Sequence, residues 1–367
     1  MRVVCLGGGP AGLYFAISMK LRDPSHEVVV IERNKPDDTF GWGVVLSDET
    51  LDNLAENDAV SAASIREHFA YWDDIAVLFK DTKTVSTGHG FCGIGRKQLL
   101  LLLQARAKEL GVELRFETNV ASAADYAKEF DLVVASDGLN SHTRTEFADK
   151  FQPEVDVRKC QFVWLGTHQK FDDAFTFIFE ETDKGWLWAH AYQFDNETAT
   201  FIVECNQDTF DAYGFGQMSQ QETIAVCEKV FAKHLDGHSL MTNANHIRGS
   251  AWIQFPRVLC ARWSHENIVL MGDAAATAHF SIGSGTKLAL ESAIALADYL
   301  HSEASLQKAF DKYEDDRRLE VLRLQSAARN SMEWFEEIER YFHLDPVQFN
   351  YSLLTRSQRI SHENLRL

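Results

Sequence analysis

The 367-residue sequence predicts an α/β fold in which a parallel-sheet unit is interrupted by an inserted antiparallel sheet and followed by helices. Three observations predict it. The chain opens on an apolar strand, a glycine turn and an apolar helix; two later apolar runs, 132–135 and 268–271, each lead into an Asp and a Gly; and from about Val155 to Pro256 the pattern changes to alternating, aromatic-rich runs.

The first element, Arg2-Val-Val-Cys-Leu6, reads as a short buried strand, and a helix is expected from about Ala11 to Leu21. Between them lies Gly7-Gly8-Gly9-Pro10-Ala11-Gly12. A second strand follows in Glu27-Val-Val-Val-Ile-Glu32, with Glu32 at its carboxyl end and 20 residues after Gly12. Gly7, Gly9 and Gly12 satisfy GxGxxG: the first for a tight turn, the second for close approach of a pyrophosphate, the third for packing helix on strand. Strand, turn, helix, second strand and acid stand in the order that a dinucleotide requires, with its phosphates on the helix N-terminus and its ribose on the acid.

Which dinucleotide is bound depends on the rest of the chain. Leu132-Val-Val-Ala-Ser-Asp-Gly-Leu-Asn-Ser-His-Thr-Arg144 reads as a buried strand ending at Asp137-Gly138. A second such strand, Ile268-Val-Leu-Met, ends at Gly272-Asp273 and leads through a loop to Gly283-Ser284-Gly285 and a long Ala- and Leu-rich helix. Arg96, in Gly-Ile-Gly-Arg-Lys-Gln-Leu, opens a helix expected over 97–110. These motifs resemble, in order and spacing over nearly the whole chain, those of the FAD-dependent aromatic hydroxylases of the para-hydroxybenzoate hydroxylase fold. The resemblance implies a Rossmann-like FAD-binding domain built from 1–75, 96–154 and 261–340, a substrate domain from 76–95 and 155–260, and a carboxyl-terminal segment, 341–367. It implies bound FAD at Gly7, Gly9, Pro10, Ala11, Gly12, Glu32, Arg33, Val44, Val45, Arg96, Val120, Asp137, Gly138, Gly272, Asp273, Gly283, Ser284 and Gly285. The resemblance also implies NAD(P)H as a transient co-substrate, and the sequence carries no second glycine motif for it.

The inserted segment is expected to form strands at 161–167, 174–180, 186–194 and 198–205, with a helix over about 220–233. His190 and Tyr192 share one face of their strand, where either is able to hydrogen-bond a phenol or an aniline. They are equally readable as satisfied sheet residues. Where many family members carry Pro-Pro, this chain has His279-Phe280. His279 either fills a loop position or borders flavin and substrate closely enough to assist a proton transfer. His190, Tyr192 and His279 are therefore the candidate catalytic residues; no metal ligands are expected. Gly185-Trp-Leu-Trp188 resembles part of the tryptophan halogenase signature, but Ala189-His190-Ala191 breaks it.

Residues 306–342 form a charged amphipathic pattern, expected mostly to pack on the FAD domain. Within the hydroxylases, Phe40-Gly-Trp-Gly-Val-Val-Leu46, His279-Phe-Ser-Ile-Gly-Ser-Gly285 and the run 349–366 resemble the aryl-CoA hydroxylases, namely those of salicylyl-CoA and the monooxygenase part of the anthraniloyl-CoA enzymes. The first two stretches also resemble the hydroxylase of a tryptophan-derived indole in violacein biosynthesis. In fused members a similar segment leads into a further domain, so the sequence fits a free-standing hydroxylase or the first part of a fusion. A CoA thioester brings phosphates, for which Arg356, Arg359 and Arg366 are candidate ligands; a solvated basic tail is the alternative. The implied chemistry is reduction of FAD, addition of O₂ to give a flavin hydroperoxide, and attack by an activated aromatic ring. The competing class is a non-catalytic protein that kept the fold as a binding scaffold.

Composition bounds the partners. Lys and Arg total 36 against 54 Asp and Glu, a net charge of −18, which repels nucleic acid and anionic membranes and leaves phosphate binding to local devices. The six cysteines show no metal or disulfide spacing, which fits a reducing, cytoplasmic setting. The uncharged stretch 3–19 is broken by glycines and lacks the flanks of a signal peptide.

Overall fold

The computed structural model describes residues 1–39, 41–243 and 250–358. Its first sheet has the strand order Ser264–His265, Ile268–Leu270, Leu132–Ala135, Arg2–Leu6, Glu27–Ile31 and Glu113–Arg115. All neighbours are parallel except the outermost pair, Ser264–His265 with Ile268–Leu270. Val3, Val4 and Cys5 are fully buried, as expected for a strand covered by helices on both faces. The register sets Leu6 beside Ala135, and Ala135 beside Leu270, so the turns that begin at Gly7, Ser136 and Met271 leave the same edge. Three motifs far apart in sequence thereby become neighbours.

The first helix is Pro10–Arg22, one residue longer at each end than the sequence reading, because Pro10 occupies the first helical position. It packs against Gly285–Ser302, while Arg96–Glu109 packs on its other side. A small three-stranded sheet, Gly43–Leu46, Phe91–Gly95 and Ala70–Trp72, links this unit to the second.

The large sheet runs Leu240–Met241, Pro153–Thr167, Ala199–Cys205, Gly185–Gln193, Ala174–Thr182, Asp74–Phe79 and Thr82–Ser86, with Ile253–Cys260 also paired to Pro153–Thr167. It is antiparallel but for one join: Ala174–Thr182 runs parallel to Asp74–Phe79. Asp74–Phe79, with Thr82–Ser86 outside it at the sheet edge, comes from an earlier excursion of the chain, so no hairpin dictates its direction relative to Ala174–Thr182. Phe91–Gly95, expected with this sheet, belongs to the small one.

The faces of the large sheet differ. Ala189, Ala191, Phe201 and Val203 join the core beneath the helix Gln220–Val230. Trp188 on the opposite face packs with Phe177, Phe179 and Phe335. The helix Leu306–Glu336 packs mostly on the first unit, as expected, and reaches the second with its last turn: Phe310, Tyr313, Val321 and Leu324 lie in the parallel-sheet core, whereas Trp334 and Phe335 lie under the large sheet. Pro346–Thr355 completes that layer, with Phe349 stacked on Phe79 at 3.8 Å between ring centroids.

Candidate active site

The cradle begins at Gly7. Its φ is +113°, and a Cβ there would lie 2.3 Å from the Ser136 carbonyl oxygen; at Gly12 a Cβ would lie 2.2 Å from the Gly7 carbonyl oxygen. Both positions exclude a side chain because backbone already fills the space. Gly9 meets nothing within 4 Å. Gly9 caps the helix without a side-chain hydrogen bond, and Pro10 and Ala11 open it, so the first-turn N–H groups are left for an anion. Gly285 is equally open at the start of the helix Gly285–Ser302, whose N-cap, the buried Ser284, also makes no capping bond. Gly272 joins the two helices, since its Cβ position lies 3.2 Å from Ala11 and 3.9 Å from Ala289.

Acids and arginines surround this cradle. Glu32 uses both carboxylate oxygens at 2.8 Å, one on the Gly8 N–H and one on the Asn34 N–H, each keeping a lone pair for a ribose hydroxyl. Asp137 accepts from the Thr143 N–H and hydroxyl through one oxygen; its other oxygen is buried without a partner. The half-buried Arg96 likewise keeps its Nε buried and unpartnered. Burial pulls its pKa down, opposed first by Asp273 and then by Tyr192. Asp273 has surface open to the cleft, yet the protein around it displaces enough water to raise its pKa, against the pull of Arg96 and Arg144. These unsatisfied groups fit a ligand carrying both phosphates and hydroxyls, as FAD does.

Among the other expected FAD contacts, Val44 is buried and Val45 half-buried on the Gly43–Leu46 strand, where Val45 lies 3.5 Å from the Cβ position of Gly283. Gly138 turns the chain at φ +78°. Arg33 is exposed, and Val120 is half-buried against the parallel-sheet core. Arg144 is a site residue that the sequence reading passed over although it ends the quoted Asp-Gly run. It donates to the carbonyls of Leu139, Asp273 and Ala274, tying the second motif to the third.

The second half of the site is aromatic. Phe280 packs on Phe162 at 4.5 Å and on His190 at 5.7 Å, and His279 meets Phe255 at 4.8 Å. His190 is buried, its Nε2 3.0 Å from Glu204, which also accepts from Trp188 Nε1 at 2.8 Å. Burial lowers the His190 pKa while Glu204 raises it, and burial prevails. Tyr192 donates its hydroxyl to the Gly43 carbonyl at 2.8 Å, and its pKa is pushed up to about 12 by burial. That commitment suits a brace between sheet and small sheet, not a base. His279 is buried, and burial holds its pKa well below the ordinary histidine value. His190 and His279 are thus brought to one aromatic wall, with Tyr192 beside it.

Two further residues of this wall were missed or misread. Glu204 is 1% exposed, and its signal was a lone acid in the apolar run Ala-Thr-Phe-Ile-Val-Glu-Cys. Arg356 is not part of a solvated tail: its guanidinium lies over Phe177 at 5.1 Å and over Phe335 at 5.3 Å. Arg359, Arg366 and Phe40 lie outside the described residues.

With its cradle and aromatic wall in place, the chain belongs to the FAD binding domain family, whose pattern matches residues 1–328, and it is a flavin-dependent aromatic monooxygenase. It is 42% identical to the salicyloyl-CoA 5-hydroxylase of a Streptomyces species over 97% of this chain and 70% of that one. It is 34% identical to the 3-hydroxy-4-methyl-anthranilyl-[aryl-carrier protein] 5-monooxygenase of Streptosporangium sibiricum, covering 92% and 90%, and 31% identical to the protodeoxyviolaceinate monooxygenase of Chromobacterium violaceum, covering 98% and 95%. In fold it is similar to 2-methyl-3-hydroxypyridine-5-carboxylic acid oxygenase, with a TM-score of 0.73 at 18% identity over 97% of this chain and 95% of that one.

Proposed function

We propose that the protein hydroxylates the aromatic ring of an aryl thioester, with salicylyl-CoA as the substrate and gentisyl-CoA as the product. The observation that carries this is one loop with two tasks: His279–Gly283 leads into the open N-terminus at Gly285 and, through Phe280, packs against the aromatic wall at Phe162 and His190. Cofactor cradle and ring pocket then share a border. Two relatives are named for aryl groups carried as CoA or carrier-protein derivatives, which favours a thioester over a free acid.

In this reading the pyrophosphate of FAD is held by the N–H groups after Gly9 and by Arg96, its ribose by Glu32, and its ribityl chain by Asp273. Bound FAD, reduced by NAD(P)H, supplies the activated oxygen that O₂ alone does not deliver to a ring. Gly283, Ser284 and Gly285, with Val44 and Val45 packed beside them, would line the place of its ring. Phe162, Phe255 and Phe280 hold the substrate ring and exclude water. In salicylyl-CoA the hydroxyl activates the position para to it, so the polar groups of His190 and His279 act at that hydroxyl or at the neighbouring carbonyl. The six free, buried cysteines fit a reducing compartment, and we place the protein in the cytoplasm.

The test is a substrate panel read by product mass: salicylyl-CoA, anthraniloyl-CoA, a salicylyl carrier protein, free salicylate and a tryptophan-derived indole. Salicylyl-CoA should accelerate NAD(P)H oxidation most and give stoichiometric hydroxylated product. A faster, coupled reaction with the free acid or the indole would overturn the thioester assignment.

A further inference from the structure

A line of hydrogen bonds runs from the last helix to the candidate catalytic loop. Arg356 Nε donates to Ser331 Oγ at 2.9 Å, Ser331 Oγ donates to Ser281 Oγ at 2.9 Å, and Ser281 Oγ lies 2.9 Å from His279 Nδ1. The Ser281 backbone N–H also points at Nδ1, at 3.2 Å. A second guanidinium nitrogen of Arg356 donates to the Ser281 carbonyl at 3.0 Å and a third to the Leu353 carbonyl at 2.7 Å.

The direction of every proton follows from the two ends. A guanidinium has protons only to give, so Ser331 accepts there and gives its own proton to Ser281. Ser281 gives its proton to Nδ1, the ring nitrogen that its backbone N–H also approaches, and Arg356 holds Ser281 in place for both through Ser331 and the Ser281 carbonyl. Nδ1 is therefore bare, and the proton of the neutral ring sits on Nε2. The charged and titratable groups facing His279 are His190 and Arg158 from two strands of the large sheet and Arg356 from the last helix; all oppose a second proton, and burial opposes it more. Glu204, the acid of this wall, is turned to His190 and Trp188.

We propose that Arg356 is a positioning residue of this site: through Ser331 and Ser281 it fixes His279 as the Nε2–H tautomer, so that His279 gives a hydrogen bond to a substrate oxygen rather than taking a proton from it. The identity of that oxygen rests on the thioester reading above; the tautomer does not. The readout for the tautomer is long-range proton–nitrogen spectroscopy of the full-length, FAD-loaded protein labelled with ¹⁵N-histidine, His279→Gln assigning the signal. Wild-type His279 should show a bare Nδ1 and a protonated Nε2 between about pH 6 and 8. Arg356→Met and Ser331→Ala should each mix the tautomers and move protonation to higher pH. A second readout is product formed per NAD(P)H consumed. It should fall about tenfold in Arg356→Met, the worth of one buried hydrogen bond, and no further in Arg356→Met/His279→Gln than in His279→Gln alone. If Arg356→Met does not fold, Ser331→Ala gives both readouts. A protonated Nδ1 in the wild type, a signal unchanged in the variants, or additive losses in the double variant would overturn the proposal. A wrong substrate would leave the spectroscopic result standing.

Discussion

Gly9 and Gly12 lie three residues apart and predict separable defects. A side chain at Gly12 meets the Gly7 carbonyl oxygen and, at 2.5 Å, the Ser136 hydroxyl, so Gly12→Val must push helix and strand apart. Overpacking of this kind costs about 1–3 kcal/mol, and both thermal stability and FAD affinity should fall. At Gly9 the space is open, so Gly9→Ala should fold as the wild type does and lose FAD affinity alone. Flavin titration beside thermal unfolding separates the two; undiminished affinity in Gly9→Ala would remove Gly9 from the phosphate cradle. The two histidines make a further prediction at this scale. Both His190 and His279 have pKa values depressed by burial, so the native state refuses protons that the unfolded chain takes up below about pH 6.5. The stability they contribute is present above that pH and is lost as the pH falls through it. Urea midpoints measured from about pH 7 to about pH 5 should drop less steeply in His279→Gln than in the wild type; equal slopes would contradict the burial of a neutral His279.

At the scale of elements, the helix Leu306–Glu336 joins the two units, and its last turn is the support of the aromatic wall. Phe335 is fully buried, stacks on Trp188 at 5.9 Å and meets His190 at 5.0 Å. Phe335→Ala should cost about 3–5 kcal/mol in denaturant unfolding, whereas Leu322→Ala on the exposed side of the same helix should change stability by less than about 0.5 kcal/mol. A small effect at Phe335 would mean that the wall does not depend on this helix. Elements such as Arg2–Leu6 and Pro10–Arg22 were legible in the sequence because strand, glycine turn and helix follow one another locally. The alternating faces of Gly185–Gln193 were legible for the same reason. The relay was not, because Ser331 lies 50 residues from Ser281 and Arg356 lies 75 from it, and no local periodicity encodes that meeting. The parallel join in the large sheet was hidden likewise, since its two strands come from distant parts of the chain.

For the whole molecule, the charge of −18 and the phosphate-binding function are compatible because attraction is local. Two helix N-termini and Arg96 gather at one cleft, while the surface as a whole repels polyanions. No helix among the described residues is long and apolar enough to cross a membrane. The parallel-sheet unit supplies the cradle and the large sheet supplies the aromatic wall. The turn His279–Gly283 belongs to both, which is the architecture that a cofactor-borne oxidation of a bound ring requires. The central claim is that this border delivers an oxygen atom from O₂ to the ring of an aryl thioester. Its most direct measurement is turnover of salicylyl-CoA with NAD(P)H under ¹⁸O₂, followed by mass analysis of the product. A single ¹⁸O in the ring, at the position para to the existing hydroxyl, is the expected result. Product oxygen derived from water, or oxidation of NAD(P)H without hydroxylated thioester, would contradict it.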